Sequence, residues 1–236
     1  MRVGETKMLD IKTKVARKSQ NILQKILANS NLNPYVHGRS IPNVFMGADN
    51  PENVRLVLLG QDPTVKRLSS LKNITTVLNL DKQGSNLYKY ISRICEILGL
   101  ELNQHIYATN FAKNFFVSPP TQIEGRNILD EFSEYWLPLL REELAFSPGR
   151  PIITFGQPLL AVLTVNQRKA LVRQYWDYKQ DWRQNPATNF SSVAPDENKL
   201  GRRLFPFPHQ PSLQKEFYRA TIKSYINYVK NNMLRG

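Results

Sequence analysis

The sequence predicts an α/β fold, a small four-stranded parallel sheet with helices on both faces, on three observations. Four compact apolar or β-branched runs bounded by turn residues, at 54–59, 105–109, 151–155 and 203–207, read as buried strands. Helical patterns lie between them, and strands alternating with helices favour parallel pairing through crossovers. The residues just past each run are polar, which marks the edge where an open parallel sheet carries its ligand.

In chain order, residues 11–27 place Val15, Ile22, Leu23, Ile26 and Leu27 at helical spacing. Residues 29–51 are rich in Asn, Pro and Gly and read as an extended covering arm, so that 1–50 pack as helix and arm on a core of 51–236. Residues 87–98 bring Leu87, Tyr90, Ile91, Ile94, Ile97 and Leu98 to one helical face, and 128–144 and 158–163 continue the helical series. The polar stretch 175–200, with Trp176 and Trp182 as its large side chains, reads as a long surface loop. Residues 213–234 close the chain as a helix with Phe217, Ala220, Ile222, Tyr225, Ile226 and Val229 on one side. A length of 236 residues and a hydrophobic share of 41% suit one globular domain.

The formal charge of +13, from 32 Lys and Arg against 19 acids, concentrates polyanions near the protein and makes nucleic acid the first partner to consider. A merely soluble cationic protein is the plain alternative. The single Cys95 excludes a disulfide framework and a four-cysteine cluster, and reads as a small buried residue. Residues 1–10 lack the apolar core of a signal peptide, and nowhere do about 18 apolar residues run together. The expectation is therefore no membrane association and a cytoplasmic protein, nuclear in a eukaryotic source.

Past the first strand stands Gly60-Gln61-Asp62-Pro63-Thr64, past the second Asn110, past the third Gly156-Gln157, and past the fourth His209-Gln210-Pro211-Ser212-Leu213. An acid, an amide and an imidazole thus gather on one sheet edge. Gly60-Gln61-Asp62-Pro63 resembles the water-activating motif of uracil-DNA glycosylases. Ala108-Thr109-Asn110-Phe111-Ala112-Lys113 resembles their base-pocket asparagine strand, and Pro208-His209-Gln210-Pro211-Ser212 resembles their His-Pro-Ser loop with one residue inserted. Order and spacing are similar to that superfamily over residues 54–229, with Thr154-Phe155-Gly156 where its members carry a strand ending in glycine.

The resemblance implies a three-layer α/β/α, uracil-DNA glycosylase-like domain that acts in base excision repair of DNA as a monomer, with no metal and no organic cofactor. Breaking an N-glycosidic bond leaves positive character on the sugar and negative charge on the departing base. Asp62 would orient water and steady the sugar, and His209 would donate to the leaving base. Asn110, with backbone donors of Gln61, would read the edge of a flipped pyrimidine. Ser212 would hold phosphate and Leu213 would fill the space of the flipped nucleotide. Ser69 and Ser70, in Leu68-Ser69-Ser70-Leu71-Lys72-Asn73-Ile74, resemble the serine loop that grips the DNA backbone, while Lys113, Lys66, Arg67 and Lys72 would flank the mouth.

Each residue also has a plainer reading. Asp62 can form an Asx turn before Pro63 or cap a helix, His209 can be a core histidine, and Asn110 can tie loops together. Leu213 can be the first core residue of the last helix, Ser69 and Ser70 an N-cap, and the lysines a solvated face. The chain departs from the superfamily pattern where Thr64 and Val65 stand in place of tyrosine and histidine, and no aromatic residue falls between Gln61 and Asn86 to stack a base. Those departures leave open the choice of base and a second reading, a catalytically degenerate relative that binds DNA or a protein partner. An unrelated nucleotide-processing enzyme is a third reading, against which no phosphate-cradling glycine loop follows any strand.

Overall fold

A computed structural model describes residues 3–38, 41–64, 72–120, 123, 128–166, 168 and 170–233. In chain order the strands are β1 (Val36–His37), β2 (Phe45–Met46), β3 (Leu56–Gly60), β4 (Ile106–Asn110), β5 (Phe115–Phe116), β6 (Ile152–Phe155) and β7 (Leu204–Phe207). The helices are α1 (Val3–Ala28), α2 (Asn86–Leu98), α3 (Leu102–His105), α4 (Ile128–Leu144), α5 (Gln157–Leu163), α6 (Val172–Tyr175) and α7 (Glu216–Asn232).

The four apolar runs become β3, β4, β6 and β7, every residue of which is buried, and they pair in parallel in the order β4-β3-β6-β7. The sheet has a fifth strand that the sequence reading does not foresee. β2 joins the outer edge of β4 in antiparallel register, Phe45 opposite Ala108 and Met46 opposite Tyr107. β1 and β5 form a separate two-stranded antiparallel ribbon. The fold is therefore mixed α/β with a mostly parallel central sheet, and the arm is woven into it. Three strands of two residues each carry no periodicity that a sequence could display.

Chain direction sets the layers. From β3 the chain moves one way to β4, then back across β3 to β6 and on to β7. Right-handed crossovers in opposite directions put their helices on opposite faces. The helices accordingly pack in two groups, α2 with α7 and α1 with α4 and α5, an arrangement compatible with three layers.

Helix α2 begins where the Ser85 hydroxyl accepts the Tyr88 N–H at 3.0 Å and ends at Gly99 in the left-handed region, the common start and stop signals. Its inner face buries Tyr90, Ile91, Ile94, Cys95 and Leu98, and burial pushes the Cys95 thiol up to about 12, so it packs as an inert apolar group. Helix α1 starts well before the 11–27 pattern; it buries Met8, Val15, Leu23 and Ile26 and sets Lys14 and Lys18 on Glu142 of α4 at 2.8 and 2.6 Å. Those exposed pairs contribute at most about 1 kcal/mol each, so apolar burial holds the helix. Among the described residues no helix is long and apolar enough to cross a membrane.

β7 contains Pro206, which an inner strand could not hold. β7 lies at the sheet edge, and the Pro206 carbonyl accepts the indole N–H of Trp176 at 2.7 Å. Trp176 is fully buried, stacked on Tyr225 with ring centroids 4.3 Å apart and edge-on to Phe207 and Tyr218. The loop after α6 is thus pinned by Trp176, while Trp182, half-buried, packs edge-on against Phe217. Truncation to Trp176→Ala is expected to cost about 3–5 kcal/mol, and Trp176→Phe about 1–3 kcal/mol through the lost bond to Pro206. Urea denaturation monitored by far-UV circular dichroism measures both.

Candidate functional site

In the strand order β4-β3-β6-β7 the direction of winding reverses between β3 and β6, so their carboxyl ends leave a crevice. A cavity of about 590 Å³ opens there, within the range of small-ligand sites. Gly60-Gln61-Asp62-Pro63-Thr64 walls it from β3, Phe155-Gly156-Gln157-Pro158 from β6, and Pro208-His209-Gln210-Pro211-Ser212 from β7. Ile74, Leu78 and Leu87 add apolar surface and Asn79 an amide, and Lys215 and Tyr218 line the cavity from the start of α7. Among the described residues no three His, Cys, Asp or Glu side chains gather as metal ligands would.

The loops are held by the sheet itself. The Phe111 N–H donates to the Gly60 carbonyl at 2.8 Å and the Ala112 N–H to the Gln61 carbonyl at 2.9 Å, carrying the β3–β4 ladder into the motif. The Gly156 N–H donates to Phe207 at 2.9 Å, and the Tyr90 hydroxyl reaches the Pro208 carbonyl at 3.3 Å. His209 begins the following turn, its carbonyl accepting the Ser212 N–H at 2.8 Å.

Asp62 is half-buried and both of its carboxylate oxygens are hydrogen-bonded. The Gln61 side-chain amide donates to Oδ1 at 2.7 Å, the Thr64 N–H donates to Oδ2 at 2.8 Å, and the Thr64 side chain adds a further bond. The Asx turn before Pro63 is therefore real, and it coexists with a place on the cavity wall. Burial raises the Asp62 carboxyl above the ordinary aspartate range, and the bonds from Thr64 and Gln61 oppose that rise. Gln61, whose side chain has no evident task in the sequence, steadies the acid. Thr64 has a second partner, its hydroxyl oxygen accepting the Phe116 N–H at 2.7 Å, so it fastens the motif to the β1–β5 ribbon.

His209 is exposed at the rim, not a core histidine, and lies over Gly156, where a Cβ would come within 4.0 Å of the His209 Cβ. Ser212 is half-buried on the cavity wall. Leu213 is half-buried against the hydrophobic core and does not line the cavity, the core position allowed for it as the alternative to a wedge. Asn110 is only 2% exposed and also does not line the cavity. It stands behind Gly60, where a Cβ would meet Asn110 Oδ1 at 2.2 Å and Leu78 Cδ2 at 2.8 Å. Asn110 Oδ1 accepts no hydrogen bond from any described residue, so that oxygen is not a tie between loops.

Lys113 requires a correction. Expected at the mouth as a phosphate contact, it is 2% exposed and its ammonium sits 2.5 Å from Glu143 of α4. It also donates to Thr109 Oγ1, while the other Glu143 oxygen accepts the Tyr107 hydroxyl at 2.6 Å. A sealed and neutralised lysine cannot reach a phosphate, and burial lowers its pKa despite the opposing pull of Glu143. Lys72 is exposed and stands off the cavity wall. Ser69, Ser70, Lys66 and Arg67 lie outside the described residues.

No family model matches the chain, and no curated protein matches it. The chemistry at the site therefore rests on its own geometry.

The residues that sequence reasoning missed are Leu78, Asn79, Phe155 and Tyr218 on the cavity wall. Phe155 and Tyr218 supply aromatic surface from β6 and α7, away from the stretch between Gln61 and Asn86. Tyr218 is readable as a helical neighbour of Phe217; nothing in the local pattern marks Leu78 or Asn79.

Two outcomes follow. Asp62→Asn is expected to be more stable than the parent at neutral pH, because a raised carboxyl pKa means that the folded protein carries a penalty for ionisation. That advantage shrinks as pH falls through the raised pKa and is gone below the unfolded value of about 4; thermal melts across pH measure it. Lys113→Met strands Glu143 and is expected to cost about 3–5 kcal/mol in urea denaturation, with part recovered by adding Glu143→Leu.

Proposed function

We propose that the protein is a DNA glycosylase of the uracil-DNA glycosylase kind, a three-layer α/β/α domain that hydrolyses the N-glycosidic bond of a flipped uracil or related damaged base. One observation carries the reading. Asp62 after β3 and His209 after β7, far apart in sequence, face the same cavity at the reversal point of the sheet.

An N-glycosidic bond breaks toward a cationic sugar and an anionic base, so two unlike groups must flank one site. The Asp62 carboxylate, fixed by Gln61 and Thr64, has lone pairs beyond those three bonds with which to orient a water and steady the sugar. Its half-buried setting strengthens that attraction relative to bulk water. His209, exposed on the same cavity, can donate to the departing base, and no metal or organic cofactor enters the scheme. Phe155, Leu78 and Tyr218 offer apolar and aromatic walls for a planar ring. Ser212 and Lys215 at the rim suit a phosphate, and the net charge of +13 favours DNA as the polyanion.

A second reading, a glycosylase-like protein that binds DNA or a protein partner without cleavage, draws on a different observation. Both Asp62 oxygens already accept internal hydrogen bonds, which suits a structural turn as well as a catalytic acid. Single- and double-stranded oligonucleotides carrying uracil, other deaminated bases or mismatched thymine separate the two. The expected result is alkali-labile product, reduced about a hundredfold or more in Asp62→Ala and His209→Ala. The acid limb of the rate profile should stand above the ordinary aspartate range, because the carboxylate form is required and burial raises its pKa. Absence of product on every substrate, or variants as active as the parent, sinks the hydrolytic reading; salt-dependent binding without product supports the second.

A further inference from the structure

Two unfavourable features sit side by side at the cavity floor. Leu78 and Asn79 both occupy the left-handed region, with φ of 56° and 52°, a conformation that sterics allow glycine freely and leucine rarely. The turn carrying them is clamped to the arm, the Asn43 N–H donating to Thr75 and the Val77 N–H to Asn43, each at 2.9 Å. Next to it Asn110 keeps a buried amide oxygen with no hydrogen-bond partner among the described residues, an arrangement that native interiors avoid. The Leu78 methyl and the Asn110 oxygen share the face of Gly60, but only Leu78 lines the cavity.

From this geometry we infer that Leu78 is a gate: its side chain shields Asn110 from the cavity, and the amide meets a ligand only when Leu78 moves aside. The ligand class is a planar heteroaromatic base with a hydrogen-bonding edge, an assignment that rests on the glycosylase reading. Opening lets the unpaired oxygen meet a donor, which offsets the cost of moving the leucine side chain. A base that offers a donor to Asn110 gains from opening, whereas an apolar ring of the same size gains nothing. Leu78 thereby sets specificity by deciding which ligands reach the amide.

The test is Leu78→Gly, which keeps the left-handed backbone without strain and removes the gate. Leu78→Ala, retaining a Cβ, serves if the glycine variant fails to melt cooperatively. The Asn110 side-chain amide is followed by NMR with a soluble paramagnetic agent, its signals identified by their loss in Asn110→Asp. It should be shielded in the parent and exposed in the variant. An oligonucleotide carrying one non-hydrolysable 2′-fluoro-2′-deoxyuridine should bind the variant about fivefold more tightly, the factor that a parent whose gate is open about a fifth of the time loses to the closed state, and the gain should vanish when Asn110→Ala is added. An amide that stays shielded, or an absent or Asn110-independent gain, overturns the gate. The hydrolytic reading fails separately: no abasic product from the parent on any substrate, with an exposed Asn110 amide in the variant, removes the reaction and leaves the shielding in place.

Discussion

The structure depends on the close approach of β3 and β4 at their carboxyl ends. The two strands pair in register to their last residues, Gly60 opposite Asn110, and the ladder runs on into Phe111 and Ala112. Residues in register on adjacent strands point their side chains to the same face, about 5 Å apart. With the Asn110 amide folded against its neighbour, position 60 has no room for a Cβ. Glycine there lets two polar strand ends lie together, and everything downstream inherits the constraint. Asp62 follows two residues later in a turn whose carboxylate is bonded before any ligand arrives, and Thr64 then commits the loop to Phe116.

Two charges near this edge show how burial separates support from chemistry. Lys113 is neutralised by Glu143 in a sealed network with Thr109 and Tyr107, and its charge serves only to hold β4 to α4. Asp62 is held instead, among the described residues, by the neutral donors of Gln61 and Thr64 at the wall of a cavity. An ion pair of the first kind is self-contained. A carboxylate fixed by uncharged donors keeps its field for whatever enters, which is the condition for acting on a developing cation.

The sequence made the sheet legible because buried parallel strands are continuous apolar runs; all four fell within one or two residues of their observed bounds. The polar strand ends were legible for the same reason, since each follows an unmistakable run. β1, β2 and β5 were not, because two residues hold no period and their pairing is decided by distant chain. Lys113 misled because a lysine after a strand looks solvated, and only Glu143, thirty positions on along α4, shows otherwise. Thr64 read as a loss, an absent ring, until its bonds to Asp62 and Phe116 gave it a task of its own. Leu78 was beyond reach, since a leucine with positive φ runs against its own propensity and is imposed by tertiary contacts.

Such impositions cluster here. The raised carboxyl of Asp62, the unpaired oxygen of Asn79 and the left-handed pair Leu78 and Asn79 border one crevice, and the unpaired oxygen of Asn110 lies behind its wall at Gly60. The buried core beneath, from Leu56 to Leu59 and across β4 and β6, is apolar apart from the Thr109 and Thr154 hydroxyls, the Tyr107 hydroxyl bonded to Glu143 and the terminal Asn110. Similar terms also stand singly elsewhere, at Ser19, His37, Ser92, Thr154 and Asp177, but none of those lines the cavity. A ligand of the inferred kind could relieve terms that share one cavity together, supplying the missing partner as the leucine is drawn aside. The local instability of the empty site is thus the free-energy difference through which binding can select among ligands.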